Sequence, residues 1–182
     1  MPVRIISLLA VFALLSICTP RASARSWTYY DIREPRNQFV LERDPDRSAW
    51  MDSGENANFC GGNDQYLCFK SRDFQFAAPK GFKGKETEWT FDGIAYKVTG
   101  TTRRFILGRK YTTYFIERDL DSLRLRFLFT LESGLIGITT VGANQGMVLI
   151  LSDKCGYGAP EHCYKAAPTS RAQRKTAAVH PK

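Results

Sequence analysis

The chain has 182 residues, with 26 lysines and arginines, 18 aspartates and glutamates, and a formal net charge of +8 at pH 7. Two of the arginines lie within the first 24 residues, and the last 18 residues contain five basic and no acidic side chains. The segment between them therefore carries a charge of only about +1. Because the basicity belongs to the ends of the chain, it does not predict a nucleic-acid-binding domain.

Residues 1–24 have the organisation of an export signal. Arg4 supplies a positive start, an almost unbroken apolar stretch follows from Ile5 to Ile17, and Ala22-Ser23-Ala24 matches a small-residue cleavage site. The apolar stretch is shorter than the roughly 20 residues that a membrane-spanning helix needs. We therefore predict a cleaved signal peptide, a periplasmic or extracellular protein and no integral membrane span.

A lipid anchor is the alternative to cleavage after Ala24. The segment Leu15-Ser16-Ile17-Cys18 is similar to a bacterial lipobox, in which the cysteine is acylated. Ile17 stands where such motifs normally have a small residue, so the sequence favours cleaved export over an anchor at Cys18.

Four further cysteines form two identical C-x7-C spacings, Cys60 with Cys68 and Cys155 with Cys163. An even number of cysteines in an exported chain indicates disulfides. Turn-forming residues fill both intervals, so we expect the two local pairs, each stabilising by about 2.5 kcal/mol. The nested pattern, Cys60–Cys163 with Cys68–Cys155, would stabilise more and stays open. The spacing is not that of zinc ligands, and we expect neither a metal nor a cofactor.

The region before the first cysteine is polar and irregular. Short extended pieces are predicted at Trp27 to Ile32 and at Gln38 to Glu42. Asp44-Pro45 has the pattern of an N-cap followed by a first-turn proline, which predicts a short helix through Trp50-Met51.

From Phe69 to Asp153 apolar residues recur at every second position, most clearly from Leu123 to Leu131. This period is that of half-buried strands. Asp92-Gly93 predicts a type I′ hairpin, and Gly108-Arg109 predicts a II′ hairpin. We therefore predict a mainly β fold, an antiparallel meander of about seven or eight strands that forms a barrel or a strongly curved sheet. The irregular N-terminal segment is expected to cover one side of it.

The domain organisation follows from these patterns. We predict a single disulfide-linked domain over 25–164 and a basic disordered tail over 165–182. The tail lacks any apolar period and is expected to be solvated, with peripheral contact to an anionic membrane or wall polymer as the alternative.

No serine nucleophile motif, zinc-protease motif or phosphate-binding glycine motif occurs in the sequence. His162 lies in the second cysteine loop and is expected to be an exposed loop histidine. The clusters Asp44/Asp46 and Glu117/Asp119/Asp121 are the remaining candidates for a hydrolase with paired carboxylates, although acidic turns are common for solvation alone.

A cationic set in the middle of the chain is the better candidate site. Together with two tyrosines it could bind an anionic polymer or an acidic protein surface. The candidate residues are Arg103, Arg104, Arg109, Lys110, Tyr111, Tyr114, Arg124 and Arg126. The sequence thus favours a non-catalytic binding or inhibitory module for a protein or cell-envelope component. The alternatives are a structural protein of the envelope and a hydrolase with an unrecognised carboxylate site.

Overall fold

A computed structural model describes residues 25–43, 47–50, 53–60, 63–106, 108–120, 123–142 and 146–165. These residues form twelve strands and one short helix, so the predicted mainly β, antiparallel class is confirmed. The predicted number of seven or eight strands was too low, because the N-terminal region and the β5–β6 hairpin contribute strands of their own. In chain order the elements are β1 Arg25–Asp31, β2 Gln38–Arg43, β3 Arg47–Trp50, β4 Ser53–Asn56, β5 Tyr66–Lys70, β6 Gln75–Pro79, β7 Glu88–Phe91, β8 Ile94–Ile106, β9 Arg109–Leu120, β10 Leu123–Thr130, β11 Gly134–Val141, β12 Val148–Leu151 and α1 Glu161–Tyr164.

Ten of the strands form one antiparallel sheet in the order β4-β3-β2-β1-β12-β11-β10-β9-β8-β7, and β5 and β6 form a separate hairpin. Consecutive strands are neighbours throughout the large sheet except where β1 pairs with β12, with Tyr29 opposite Leu151. The N-terminal strands therefore extend the sheet instead of covering it. Because β4 and β7 are its two edges, the sheet is open, and the predicted barrel is not formed.

The core lies between one face of the large sheet and the β5–β6 hairpin. Leu125, Phe127 and Phe129 alternate along β10 and are buried on this inner face. Phe76 of the hairpin packs on two of them, with ring centroids 5.0 Å from Phe127 and 5.9 Å from Phe129. The opposite, outer face of β10 carries Arg124 and Arg126, as the period-two pattern predicts.

The N-terminal region is confirmed in part. The extended pieces expected at Trp27 and Gln38 are β1 and β2, but the helix expected from Asp44-Pro45 to Trp50-Met51 is wrong. Residues 47–50 are strand β3, paired with β2 through Glu42 opposite Arg47. A helix of this length is marginal by itself, whereas the neighbouring strand offers ladder hydrogen bonds. Asp44 to Asp46 and Met51 lie outside the described residues.

The two hairpin predictions have different outcomes. Asp92 and Gly93 have φ angles of 52° and 74°, so the type I′ turn is confirmed. In the second hairpin Ile106 is paired with Arg109, so the connection is Leu107-Gly108, one residue earlier than predicted. Gly108, at φ 75°, supplies the left-handed conformation from the second position of the turn, while Leu107 is not among the described residues.

Both cysteine pairs are local disulfides. The Cα atoms of Cys60 and Cys68 are 5.7 Å apart, and those of Cys155 and Cys163 are 5.8 Å apart. The local pattern is confirmed and the nested one is excluded. The predicted signal peptide, with Cys18, and the tail beyond Lys165 lie outside the described residues. Within the described ranges, no helix has the length and apolarity to cross a membrane.

Candidate functional site

A cleft of about 760 Å³ lies where the β8–β9 hairpin, the turn after β10 and α1 come together. We call it the basic cleft. Its lining residues are Arg103, Lys110, Tyr111, Thr112, Glu132, Ser133, Lys154, His162 and Cys163. Three of the eight residues predicted as a binding surface, Arg103, Lys110 and Tyr111, are therefore brought together here.

The β8–β9 register builds the first wall of the basic cleft. Arg103 lies opposite Thr112, and Phe105 lies opposite Lys110. Residues directly opposite each other in an antiparallel pair share a face, as do residues two apart along a strand. The cations of Arg103 and Lys110 are thus presented on one side of the hairpin.

The second wall comes from the loop that follows β12. The backbone N–H of Gly156 donates to the carbonyl of Ser133 at 2.8 Å, and that of Leu135 donates to the carbonyl of Tyr157 at 2.9 Å. This close approach requires glycine at 134, where a Cβ atom would lie 2.5 Å from the Ala159 nitrogen. The loop is thereby fixed against the β10–β11 turn, with Lys154 at its start.

Helix α1 completes this wall and is attached at several points. The Cys155–Cys163 disulfide joins it to the loop, and Glu161 pairs with Arg25 of β1 at 2.9 Å. The hydroxyl of Tyr164 accepts a hydrogen bond from the indole of Trp27 and donates one to the carbonyl of Gly156, at 3.1 and 2.6 Å. Burial raises the pKa of this phenol. His162 is held facing the basic cleft as a result.

The described lining of the cleft has an excess of positive charge. Arg103, Lys110 and Lys154 are exposed, and no carboxylate of the described residues lies within 4.0 Å of any of them. Among the described residues of the lining, Glu132 is the single acidic one. Three cations face one carboxylate, so the cleft is suited to an anionic group.

Arg124 and Arg126 do not belong to the cleft. They lie on the outer face, where β9 places Asp119 opposite Arg124 and Glu117 opposite Arg126. The Arg126–Glu117 pair measures 2.6 Å between Nε and Oε1, and the Arg124–Asp119 pair measures 2.9 Å. The hydrogen bond from Arg124 to Asp119 raises the pKa of that guanidinium. These two predicted binding residues are therefore already paired within the protein.

The two candidate tyrosines lie in different places. Tyr111 is buried in the wall of the cleft. Tyr114 packs instead against Phe82, at 5.2 Å between ring centroids, and against the backbone of Gly84 on the inner face. The backbones of Arg104 and Arg109 belong to β8 and β9, but their side chains are outside the described structure.

Lys154, Ser133 and Glu132 were missed by the sequence reasoning. They are remote in sequence from Arg103 and have no shared motif with it. The signal that was available is that Lys154 directly precedes Cys155, so a local disulfide restrains its position. His162 was expected to be exposed, as it is, but its place at the basic cleft was not predicted.

The carboxylates considered for a hydrolase site are paired with arginines on the outer face. Glu117 and Asp119 are two residues apart on β9 and both accept from arginine, and Glu117 also lies 3.6 Å from Arg124. They line a cavity of about 200 Å³. Both carboxylates therefore serve as partners in structural ion pairs. Asp121 is not among the described residues. No group of three potential metal ligands occurs in the described ranges.

A second cleft, of about 510 Å³, lies beside the first disulfide. Its charged residues, Lys70 and Asp92, form an ion pair of 2.6 Å, and the hydrogen bond from Lys70 lowers the pKa of Asp92. This cleft therefore offers little net charge to a ligand, unlike the basic cleft.

Comparisons of the chain with protein-family models, with curated proteins and with solved structures yield no match. The fold and the clefts define a disulfide-linked, open antiparallel β protein. Among the surfaces described above, the basic cleft combines a concave shape with unpaired charge.

Proposed function

We propose that the protein is an exported, non-catalytic binding module that holds an anionic group of a protein or cell-envelope component in the basic cleft. The observation that supports this is that Arg103, Lys110 and Lys154, on two walls of one concavity, have no carboxylate partner among the described residues. Like charges held close together repel each other, and an anionic ligand relieves that repulsion. Arg124 and Arg126 are already ion-paired on the outer face, so the basic cleft is the better candidate for an anion-binding site.

The construction of the cleft favours binding over catalysis. Its walls are fixed by the Cys155–Cys163 disulfide and by backbone hydrogen bonds, so little backbone freedom is lost when a ligand associates. Cys163 is oxidised in this disulfide and provides no thiolate nucleophile. The hydroxyls of Thr112 and Ser133 supply neutral donors beside the cations.

Export is part of the proposal. The two disulfides fit an oxidising environment, and the pattern of residues 1–24 is that of a cleaved signal peptide. An anionic partner in the periplasm or outside the cell is consistent with both features.

The experiment compares two triple variants with the same change in net charge. R103Q/K110Q/K154Q removes the cations of the cleft, while K83Q/K85Q/K97Q removes three exposed lysines elsewhere. Fluorescence anisotropy measures the affinity for labelled oligoglutamate, a protein-like probe, and for polyphosphate, an anionic polymer.

We expect the cleft variant to bind at least one probe about tenfold more weakly, since three exposed charge contacts together amount to about that factor. The control variant should bind the probes no more than about twofold more weakly, because it lowers only the net charge of the protein. Equal losses in both variants would show that total charge, not the basic cleft, attracts the probes.

A further inference from the structure

Strand β8 is much longer than the strand that flanks it. It has 13 residues, but the four residues of β7 pair only with its beginning, from Ile94 to Lys97. The N–H of Val98 donates to the Thr87 carbonyl at 2.8 Å and ends this contact. The ladder with β9 has a bulge at Thr99, and within the described structure Gly100 to Ile106 are paired on the β9 side alone. We call the other side of Thr99 to Ile106 the free edge.

The free edge is open to solvent. Within the described structure, the backbone groups of Thr99 to Ile106 make no hydrogen bond to other backbone groups beyond the ladder with β9. Thr99, Thr101, Arg103 and Phe105 are exposed, and Phe105 is 75% exposed. Alternate residues of an edge strand direct both N–H and C=O away from the paired neighbour, so about four residues offer a ready ladder.

The composition of this segment suits strand addition. Proteins commonly protect edges with very short strands, proline, bulges or charged side chains. At the opposite edge of the sheet, β4 has only four residues, whereas the free edge carries a bulge at Thr99 and the charge of Arg103, which restrict the strands that it can accept. The free edge has no proline and contains three threonines, which favour strand geometry. Its exposed Phe105 would gain from an apolar neighbour.

The positive charge beside the free edge determines which kind of strand can pair with it. Arg103 lies at the free edge, and Lys110 lies opposite Phe105 on the same face. A second copy of this chain would bring another set of cations to the edge, and like charges on neighbouring strands destabilise pairing. An acidic segment complements them.

We propose that the free edge binds an extended segment of a partner protein by strand addition, with a carboxylate side chain beside Arg103 and an apolar side chain, two residues away, beside Phe105. Residues two apart share a face of a strand, so one short segment satisfies both contacts. The inference deepens the proposed function and rests on it in one respect, because Arg103 belongs to both the basic cleft and the free edge.

The test uses a capped peptide of sequence Thr-Glu-Thr-Val repeated twice. Two further versions carry N-methyl groups on either the odd or the even backbone nitrogens. A strand added to one edge directs only alternate N–H groups at the protein. One methylated version should therefore lose at least about tenfold in affinity and the other no more than about threefold. A lysine-for-glutamate version should also bind weakly.

Hydrogen exchange gives an independent measurement. In the free protein, alternate amides between Thr99 and Phe105 should exchange rapidly, and the peptide should slow them. If both methylated versions bind like the parent, or both are weakened equally, ladder formation is overturned. Slow exchange at all these amides in a free dimer, detected by sedimentation, would show that a second copy occupies the edge and would also overturn it.

The two proposals fail separately. If R103Q/K110Q/K154Q binds oligoglutamate and polyphosphate like the wild type, the basic cleft is rejected, whatever the methylated peptides show. If the methylated peptides show no selectivity while that variant loses the probes, the free edge is rejected and the basic cleft stands.

Discussion

The hydroxyl of Tyr157 donates a hydrogen bond to the backbone carbonyl of Cys68, at 2.5 Å in the interior of the protein. The donor lies in the loop closed by the second disulfide, and the acceptor belongs to the first. The Tyr157 ring also packs edge-on against Phe69 and Trp27, at 5.4 and 5.2 Å between centroids. One residue thus connects the wall of the basic cleft with the hairpin that covers the core.

Tyr157→Phe should lower the free energy of unfolding by about 1 to 3 kcal/mol, because it leaves a buried carbonyl without its donor. Urea denaturation followed by fluorescence measures the loss. Tyr66→Phe is the matched control, since its hydroxyl donates to Thr90 at an exposed position and water replaces it. Equal losses in the two variants would contradict the structural role of the buried bond.

Glu117→Gln should lower the free energy of unfolding by about 1 to 2 kcal/mol, because a buried acceptor of Arg126 loses its charge. Asp119→Asn should leave stability unchanged within error, as its carboxylate is 81% exposed. Neither variant should alter binding of oligoglutamate to the basic cleft. A binding loss in Glu117→Gln without a stability loss would place the anion site on the outer face instead.

Removing either disulfide by paired Cys→Ser substitution should cost about 2.5 kcal/mol, since both close loops of equal length. The effects on binding should differ. C155S/C163S releases α1 from the wall of the basic cleft and should weaken binding several-fold, whereas C60S/C68S should not. Anisotropy with labelled oligoglutamate, at a temperature where both variants are folded, makes the comparison. Equal binding losses would contradict the assigned position of the cleft.

Stability should fall in alkali as buried tyrosines ionise. Burial raises the pKa of Tyr96 from 10.0 to about 12, partly offset by the nearby charge of Arg118. The unfolded chain therefore releases this proton first, and stability present below pH 10 is lost as the pH rises towards 12. Tyr96→Phe should reduce this slope in denaturation measured across that range. Because burial also raises the pKa of Tyr29, part of the slope should remain; an unchanged slope would contradict the assignment.

Local patterns in the sequence predicted local structure well. The alternation along β10 places Leu125 and Phe127 in the core and Arg124 on the outer face, because side chains of a strand alternate by geometry alone. Asp92-Gly93 forms its turn because both residues tolerate positive φ. The local cysteine pairs follow from short loops rich in turn residues.

The failures came from longer-range choices. The Asp44-Pro45 pattern before Arg47 is typical of a helix start. Residues 47–50 nevertheless form a strand, because β2 provides partners for their backbone hydrogen bonds. The barrel was not formed, since β1 pairs with β12 and leaves β4 and β7 as edges. Neither the strand at 47–50 nor the pairing of β1 with β12 can be predicted from the pattern of one segment alone, since each depends on a second, separate strand.

The sequence by itself determined the β class, the faces of the central strands, one hairpin turn and the feasibility of local disulfides. Tertiary structure decided which cations are available. Arg124 and Arg126 are paired because the β9–β10 register sets Asp119 and Glu117 opposite them, while Arg103 and Lys110 meet Lys154 at a cleft and find no such partner in the described structure. Charge in a sequence is a count, but its effect depends on distance, and distances between remote residues are set only when the strands and loops come together.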